Sequence, residues 1–309
     1  MKIIHQGMPK MPPYGEFIFG HEYAGDVVAV GSSVDEFRVG DRVVVEAHMG
    51  CRRCENCIRG HYTACLNYGD SRRGHRANGF TTNGGLAEYA LNHINTLYRL
   101  PDQVSYEEAV VVMTAGSPLY GLQLAGGYFA GQTVAVLGPG PIGLMALQLV
   151  KALGAVRVIL TGTRPARLAL GKTLGADICV DVGREDPVAA VREATDGKGA
   201  DTTIDCAGGD ETFDQAIKMT KPAGRIILVA FYHGPVTADL ADAVRRNLTI
   251  YTERGEGGTT VGHALALLAA GRIRAKELVS HTFPLTRVRE GLEVLEKRAG
   301  DPMKIIFHP

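Results

Sequence analysis

Four of the six cysteines lie close together, in the stretch "GCRRCENCIRGHYTAC". Four thiolates with short spacings and one longer loop match a closed tetrahedral zinc site, which leaves no open position for a substrate. An iron–sulfur cluster is the alternative, because thiolates also hold such clusters, but no redox-partner region accompanies the motif. We expect the flanking His48 and His61 to be surface residues rather than ligands. The predicted ligands of a structural zinc, in a lobe at about 48–68, are Cys51, Cys54, Cys57 and Cys65.

A glycine-rich turn supplies the second chemical motif. In "VAVLGPGPIGLMALQL" the pattern G-x-G-x-x-G follows an apolar strand and opens a helix, which is the context of a dinucleotide site. Gly138 permits the tight turn, Gly140 lets the backbone approach the pyrophosphate, and Gly143 lets the helix pack close to the strand. The helix N-terminus, with Pro141 and Ile142, then faces the anion.

The end of the second strand predicts which dinucleotide binds. An acidic residue there would bond the ribose hydroxyls of NAD, but the sequence reads "LTGTRPAR". No carboxylate is available to repel a 2′-phosphate, and Arg164, beside Thr163, could pair with that phosphate through its guanidinium. The pattern favours NADP. NAD is the alternative if Arg164 is a solvated residue at the start of a helix.

These motifs need elements to position them, and the chain shows two composition regimes. The first part has short strand-like runs such as "YAGDVVAV", "DRVVVEA" and "LAEYALN" between Gly, Pro and charged turns, which indicates a mostly β domain. From about residue 130, apolar strands alternate with helices, which indicates a doubly wound parallel sheet. The tail ends in "MKIIFHP", a strand that we expect to return to the first domain. The predicted domains of this α/β chain are 1–112, 113–252 and 253–309.

Composition excludes several classes of protein. The 309 residues suggest about two domains, and 33 Lys plus Arg balance 33 Asp plus Glu. Without a run of one charge, nucleic acid and anionic membrane surfaces are not expected partners. No apolar stretch is long enough to span a membrane, and no signal-peptide pattern opens the chain. We therefore expect a cytoplasmic protein that acts on a small molecule.

Taken in order, "GHE", the four-cysteine lobe, "GGLAEYA" and the late glycine motif resemble the zinc-containing medium-chain alcohol and polyol dehydrogenases. That family includes sorbitol, butanediol and threonine dehydrogenases. The resemblance covers essentially the whole chain, and the cysteine spacing is its most specific motif. It implies a GroES-like catalytic domain and a Rossmann domain. We also expect a homo-oligomer, either dimer or tetramer. The resemblance also implies zinc-dependent hydride transfer between NAD(P) and a secondary alcohol or polyol, or its ketone.

The resemblance assigns further roles. It makes His21 the catalytic zinc ligand and Glu22 the neighbour that can enter the coordination sphere of the metal. Arg254, in "YTERGEGG", falls near a position where polyol dehydrogenases place an arginine by cofactor and substrate.

The chain also departs from the family. It opens "MKIIHQGMPKMPPYGEF", which resembles the segment just after the first catalytic ligand and the proton-relay hydroxyl. Either the reading frame is truncated or the chain is a native short form; Lys2 or His5 could then relay the proton. Where the family has its third ligand stands Met113 or Thr114, and neither is a good zinc ligand. We therefore expect an incomplete catalytic zinc site.

Two alternatives stay open at this point. One is a catalytically impaired dinucleotide-binding pseudoenzyme. The other is a zinc-free NADPH reductase, with Tyr23, Tyr68 or Tyr120 as the candidate acid. Metal content separates both from the zinc-dependent dehydrogenase, because a fully metallated enzyme would hold two zinc ions per chain and a degraded site would leave one.

Overall fold

The computed structural model describes residues 10–13 and 15–309. Lys2 and His5, the candidate proton relays, lie outside the described residues. The chain divides into two compact units. Unit 1 comprises the described residues up to Gly116 together with Gly255–Gly271 and Ala275–Pro309, and unit 2 comprises Ser117–Arg254 and Arg272–Arg274.

The strands and helices of the described residues are as follows. The strands are β1 Tyr23–Asp26, β2 Arg42–Val45, β3 His48–Met49, β4 Arg76–Ala77, β5 Leu97–Arg99, β6 Thr133–Leu137, β7 Arg157–Gly162, β8 Ile178–Asp181, β9 Ala200–Asp205, β10 Thr220–Leu228, β11 Thr249–Thr252, β12 Val279–Pro284 and β13 Lys304–His308. The helices are α1 Glu55–Ile58, α2 Tyr106–Leu124, α3 Pro141–Ala152, α4 Pro165–Thr173, α5 Pro187–Glu193, α6 Thr212–Met219, α7 Leu240–Arg245, α8 Thr260–Ala269 and α9 Val288–Lys297.

Unit 1 contains several small sheets. Strands β1, β2 and β5 form an antiparallel sheet in which β2 is central, β3 pairs antiparallel with β4, and β12 pairs in parallel with β13. Ala47, Ala77 and Phe80 form a small buried cluster beside the zinc lobe. Residues 86–92, expected as a strand, form none. The backbone N–H groups of residues 84–86 bond instead to carbonyls of residues 18–20, which are themselves irregular.

Unit 2 is built on one six-stranded sheet. Its order is β11-β10-β9-β6-β7-β8, and every neighbouring pair is parallel. Successive strands run outward from β6 in one direction and then from β9 in the other, so the strand order reverses between these two strands. Ligands of open α/β sheets bind at such a reversal, outside the carboxyl ends of the strands.

The burial pattern explains why this sheet is parallel and covered on both faces. Val134–Leu137 of β6 and Val158–Gly162 of β7 are buried at every position, as in a strand that packs against helices on both sides. Helix α3 is buried from Gly143 through Val150. The predicted doubly wound parallel sheet is confirmed. The functional roles given to the three predicted ranges remain predictions.

None of the helices that the structure describes is both long enough and apolar enough to cross a bilayer.

Candidate metal centre and dinucleotide site

The four clustered cysteines converge in unit 1. Their Sγ atoms all lie within 4.8 Å of one another, and the Sγ atoms of Cys51 and Cys57 are 3.9 Å apart. A tetrahedral zinc with Zn–S bonds of about 2.3 Å separates its sulfurs by about 3.8 Å. The donor set therefore fits a structural zinc, as the cysteine spacing predicts. Helix α1 supplies Cys57, and Cys51, Cys54 and Cys65 lie in the turns around it.

Hydrogen bonds prepare the sulfur of Cys51 to bind a cation. The side-chain amide of Asn67 donates to the Sγ of Cys51 at 3.1 Å, and the backbone N–H of Cys54 donates to the same atom at 3.3 Å. Burial opposes ionisation of Cys51, but hydrogen bonds from Arg53, Asn67 and Cys54 lower its pKa to about 6. A thiolate is the form that binds zinc.

His21 and Glu22 directly precede β1 and face each other. His21 Nε2 lies 4.0 Å from Glu22 Oε1, and the imidazole packs on the Phe80 ring with centroids 4.4 Å apart. Burial lowers the pKa of His21, which keeps the imidazole neutral and able to bind a cation. Burial would raise the pKa of Glu22, but the positive charge of Lys304, with smaller contributions from His21 and Thr114, holds it below its ordinary value.

Glu22 is already engaged by two other groups of unit 1. Lys304 Nζ from β13 pairs with Glu22 Oε2, and the hydroxyl of Thr114 in α2 lies 3.4 Å from Glu22 Oε1. Thr114 thus lies beside the His–Glu pair, at one of the two positions where the resemblance implies a third ligand, but it offers a hydroxyl. Met113 is 1 % exposed.

The described residues do not complete a three-ligand catalytic site. Among them, the four cysteines are the one group of three or more His, Cys, Asp and Glu residues whose ligand atoms come within 4.8 Å of one another. Glu88, in "GGLAEYA", is a further carboxylate that could substitute for the third ligand, but it is exposed. The residues described here therefore supply His21 and Glu22 as a two-donor corner.

One prediction about the metal lobe is wrong. His61 is exposed as expected, but His48 is buried, with Nδ1 3.2 Å from Glu256 Oε2. β3 pairs His48 with Ala77, and the imidazole stacks on Phe80 with centroids 5.7 Å apart. The apolar residues Val43–Val45 and Ala47 before His48 indicate a buried strand, but the partner carboxylate lies 208 residues further on and has no local signal.

Sequence reasoning also missed a buried acid near the metal lobe. Glu46 is 1 % exposed, and its carboxyl group accepts hydrogen bonds from the hydroxyls of Tyr62 and Tyr98. Burial raises the pKa of Glu46 to about 8 despite these two hydrogen bonds, so the side chain is mostly neutral at pH 7.

The glycine turn lies in unit 2, between β6 and α3. Gly138 has φ +95°, a conformation that favours glycine, and a Cβ on Gly143 would lie 1.9 Å from the Gly138 carbonyl oxygen. A Cβ on Gly140 would meet nothing within 4 Å. Pro141 is the first residue of α3 and Ile142 the second, and no side chain caps the first turn. The arrangement can present free backbone N–H groups to an anion.

Thr163 and Arg164 follow the neighbouring strand β7. A Cβ on Gly162, the last residue of that strand, would lie 2.3 Å from Pro139 Cδ, so the end of β7 packs directly on the glycine turn. Thr163 is exposed, and Arg164 is half-buried at the N-cap of α4. The structure brings this pair to the same edge of the sheet as the turn.

Arg254, the remaining predicted site residue, is half-buried. It follows β11, the outermost strand on the opposite side of the sheet from β7, and ends the main segment of unit 2.

Two family models match segments of the chain that contain residues of these sites. The family model described as "Alcohol dehydrogenase GroES-like domain" matches residues 1–102, and the one described as "Zinc-binding dehydrogenase" matches residues 141–270. The chain is 32 % identical over 293 residues to L-threonine 3-dehydrogenase of Pyrococcus horikoshii, covering 94 % of this chain and 81 % of that protein. It is 33 % identical over 299 residues to D-arabitol-phosphate dehydrogenase of Enterococcus avium, with coverages of 96 % and 82 %.

A solved structure is also similar to this chain. A zinc-binding dehydrogenase of Sinorhizobium meliloti 1021, bound to NADP, superposes with a TM-score of 0.88 at 28 % identity. The match covers 99 % of this chain and 87 % of that one. The predicted GroES-like and Rossmann fold class is therefore confirmed.

Proposed function

Because this chain belongs to the zinc-containing medium-chain alcohol and polyol dehydrogenases, we propose that it acts on a polyol-type secondary alcohol or its ketone with NADP as the preferred dinucleotide. The chain is a zinc-dependent oxidoreductase that transfers a hydride between NAD(P) and an alcohol or its ketone. The proposal that the chain binds a dinucleotide rests on the glycine turn from Gly138 to Gly143 at the start of α3. Zinc bound to the four thiolates holds the metal lobe together.

The preference for NADP rests on the end of β7. Arg164 stands where a carboxylate would select NAD, and a guanidinium can pair with a 2′-phosphate through two hydrogen bonds. The relative from Sinorhizobium meliloti was solved with NADP. Thr163 adds a hydroxyl at the same turn, and we assign Arg254 to the cofactor side as well.

Steady-state kinetics with NADPH and NADH test this preference. Replacing Arg164 with Ala should lower kcat/KM for NADPH about tenfold and leave kcat/KM for NADH unchanged, because only the 2′-phosphate loses its partner. Arg289→Ala, which removes an exposed arginine of unit 1, is the control and should change neither value. Equal losses with both dinucleotides would contradict the proposed role of Arg164.

We assign the oxygen side of the reaction to His21 and Glu22. Zinc, when bound there, polarises the substrate oxygen. Lys304 already neutralises Glu22, so this carboxylate binds a cation less strongly than a free one would. The ion at this corner should therefore exchange more readily than the ion of the four thiolates.

Zinc analysis after chelation tests this difference. We expect one zinc ion per chain to survive dialysis against a chelator, and a second to be lost. His21→Ala should abolish uptake of the labile ion only, whereas Cys65→Ser should remove the retained ion. Two retained ions per chain would contradict the proposal.

A zinc-free reductase is a second candidate, favoured by the incomplete ligand set among the described residues. Activity assays on protein that retains one zinc ion per chain distinguish the zinc-dependent reaction from the zinc-free one. Full ketone reduction by that protein would favour the zinc-free reductase. Dinucleotide binding without turnover, even after zinc is added, would favour the pseudoenzyme.

Substrate class is tested with a panel. Secondary alcohols, polyols, polyol phosphates and the matching ketones should be compared at saturating NADPH or NADP. We expect the highest kcat/KM among polyols or their phosphates, since one relative is a D-arabitol-phosphate dehydrogenase. A preference for simple monohydric alcohols would contradict this class.

We also propose that the chain forms a homo-oligomer. Among the strands that the structure describes, β11 lies at one edge of its sheet with a neighbour on one side only, and Ile250 on that strand is 37 % exposed. Val244 of α7 is 79 % exposed. An open sheet edge and exposed apolar side chains both favour association. Light scattering after size-exclusion chromatography tests this, and a monomer at micromolar concentration would contradict it.

A further inference from the structure

Asp205, the last residue of β9, has a completely buried side chain that four groups contact. Its Oδ1 accepts hydrogen bonds from the backbone N–H groups of Ala207 at 2.8 Å and Gly208 at 3.1 Å. Its Oδ2 accepts from the hydroxyls of Thr212, at 2.6 Å, and Tyr232. One carboxylate thus joins the end of β9, the loop 206–209, the start of α6 and the segment after β10.

These four hydrogen bonds satisfy a buried carboxyl group, and none of the four donors carries a positive charge. A carboxylate in an apolar interior is costly unless its lone pairs are satisfied, and charge-assisted hydrogen bonds are the strong ones. Burial, together with the adjacent Asp205 carboxylate, raises the pKa of Tyr232 far above its ordinary value. The tyrosine therefore keeps its proton and stays a donor throughout the physiological pH range.

The loop that Asp205 holds packs on the glycine turn. A Cβ on Gly138 would lie 3.0 Å from the Cβ of Ala207, and a Cβ on Gly143 would lie 3.4 Å from the Cβ of Cys206. On the other side, a Cβ on Gly208 would lie 2.9 Å from the Cβ of Ala230. The loop is thus confined between the turn and the segment after β10, so a shift of the loop displaces the turn.

We propose that Asp205 is a positioning residue for the dinucleotide, which clamps the loop 206–209 against the turn at Gly138 through its bonds to Thr212 and Tyr232. The proposal rests on the proposed dinucleotide site and adds a device that fixes its geometry before the ligand arrives. Pre-organisation of this kind removes an ordering cost from binding. Loss of the clamp should therefore weaken dinucleotide binding while the sheet remains folded.

Tyr232→Phe is the sharpest test, because it deletes one hydroxyl and keeps the ring. We expect the Kd and KM for the dinucleotide to rise about tenfold, and kcat at saturating dinucleotide to change less than about twofold. Tyr128→Phe, which alters an exposed tyrosine of the same unit, is the matched control and should leave all three values unchanged. Thr212→Val should raise Kd in the same direction, and Thr212→Ser should preserve wild-type binding.

Amide hydrogen exchange in the ligand-free protein supplies a second readout. The N–H groups of Ala207 and Gly208 should exchange faster in Tyr232→Phe, while those of β6 and β9 keep their protection. Wild-type Kd together with unchanged exchange would overturn the proposal. If the tyrosine variant does not fold, the Thr212 pair decides, and equal Kd in Val and Ser would also overturn it. A wild-type chain that binds neither dinucleotide contradicts the proposed function, whereas the exchange measurement still tests the clamp.

Discussion

The ammonium group of Lys304 pairs with the carboxylate of Glu22, joining two residues 282 positions apart within unit 1. Lys304 begins β13, and Glu22 directly precedes β1. Both side chains are largely buried, with 16 % and 25 % exposed. The last strand of the chain thereby sets the charge of the corner that His21 and Glu22 form.

Removal of this ammonium group should destabilise unit 1. Lys304→Met leaves the Glu22 carboxylate buried without its main counter-charge, and we expect a loss of about 2 kcal/mol in the free energy of unfolding. Lys297→Met is the matched control, because Lys297 pairs with Glu293 at the surface, and its loss should stay below about 0.5 kcal/mol. Urea denaturation at pH 7 measures both. Equal losses in the two variants would show that burial does not strengthen the Glu22 pair.

Glu46 should make stability depend on pH. Its pKa rises from 4.5 to about 8 on folding, so the folded chain binds the proton more tightly than the unfolded chain does. The contribution of Glu46 to the free energy of unfolding should therefore be fully present below about pH 4.5. It should be lost as pH rises toward 8, by at most about 1.4 kcal/mol per pH unit. Glu46→Gln cannot titrate.

The comparison of these two proteins isolates Glu46 from all other groups. Denaturation curves at pH 5, 6, 7 and 8 should show that Glu46→Gln becomes more stable relative to wild type as pH rises. Parallel pH profiles for wild type and variant would contradict the shifted pKa of Glu46.

Gly50 should be essential to the zinc lobe. A Cβ at this position would lie 2.4 Å from Cys57 Sγ and 2.8 Å from Tyr62 Cβ, so Gly50→Ala must displace a predicted ligand. We expect loss of the chelator-resistant zinc and a lower Tm. Gly25→Ala is the control, since its Cβ would meet nothing within 4 Å. Retention of one zinc by Gly50→Ala would contradict the four-thiolate geometry.

Two glycines of the dinucleotide turn should respond differently to the same change. Gly143→Ala places a Cβ 1.9 Å from the Gly138 oxygen and should lower both stability and dinucleotide affinity. Gly140→Ala places a Cβ in open space, so stability should be retained while the approach of the pyrophosphate is blocked. Thermal unfolding and dinucleotide titration separate the two effects. Unchanged affinity in Gly140→Ala would contradict the placement of the pyrophosphate.

Sequence reasoning worked where the signal was local. The cysteine spacing predicted the convergence of Cys51 with Cys57, and the G-x-G-x-x-G pattern between strand and helix predicted the turn at Gly138. Both motifs draw their geometry from a few consecutive residues, so spacing alone constrains it. The alternation of apolar strands and helices likewise predicted the doubly wound sheet.

It failed where partners are distant in the chain. Glu256 lies 208 residues from His48, and Lys304 lies 282 residues from Glu22, so neither pair leaves a periodic or spacing signal. His48 was expected at the surface as a residue that flanks the cysteine cluster, but whether a polar side chain can be buried depends on a partner that only the fold supplies. The oligomeric state and the cytoplasmic location remain predictions.

The most direct test of the proposed function is the ratio of kcat/KM for NADPH and NADH, measured on the best ketone of the substrate panel with zinc present. We expect measurable turnover and a ratio above one, which falls in Arg164→Ala and does not change in Arg289→Ala. A ratio below one would contradict the NADP preference. Tight dinucleotide binding without turnover on any substrate would contradict the proposed activity itself.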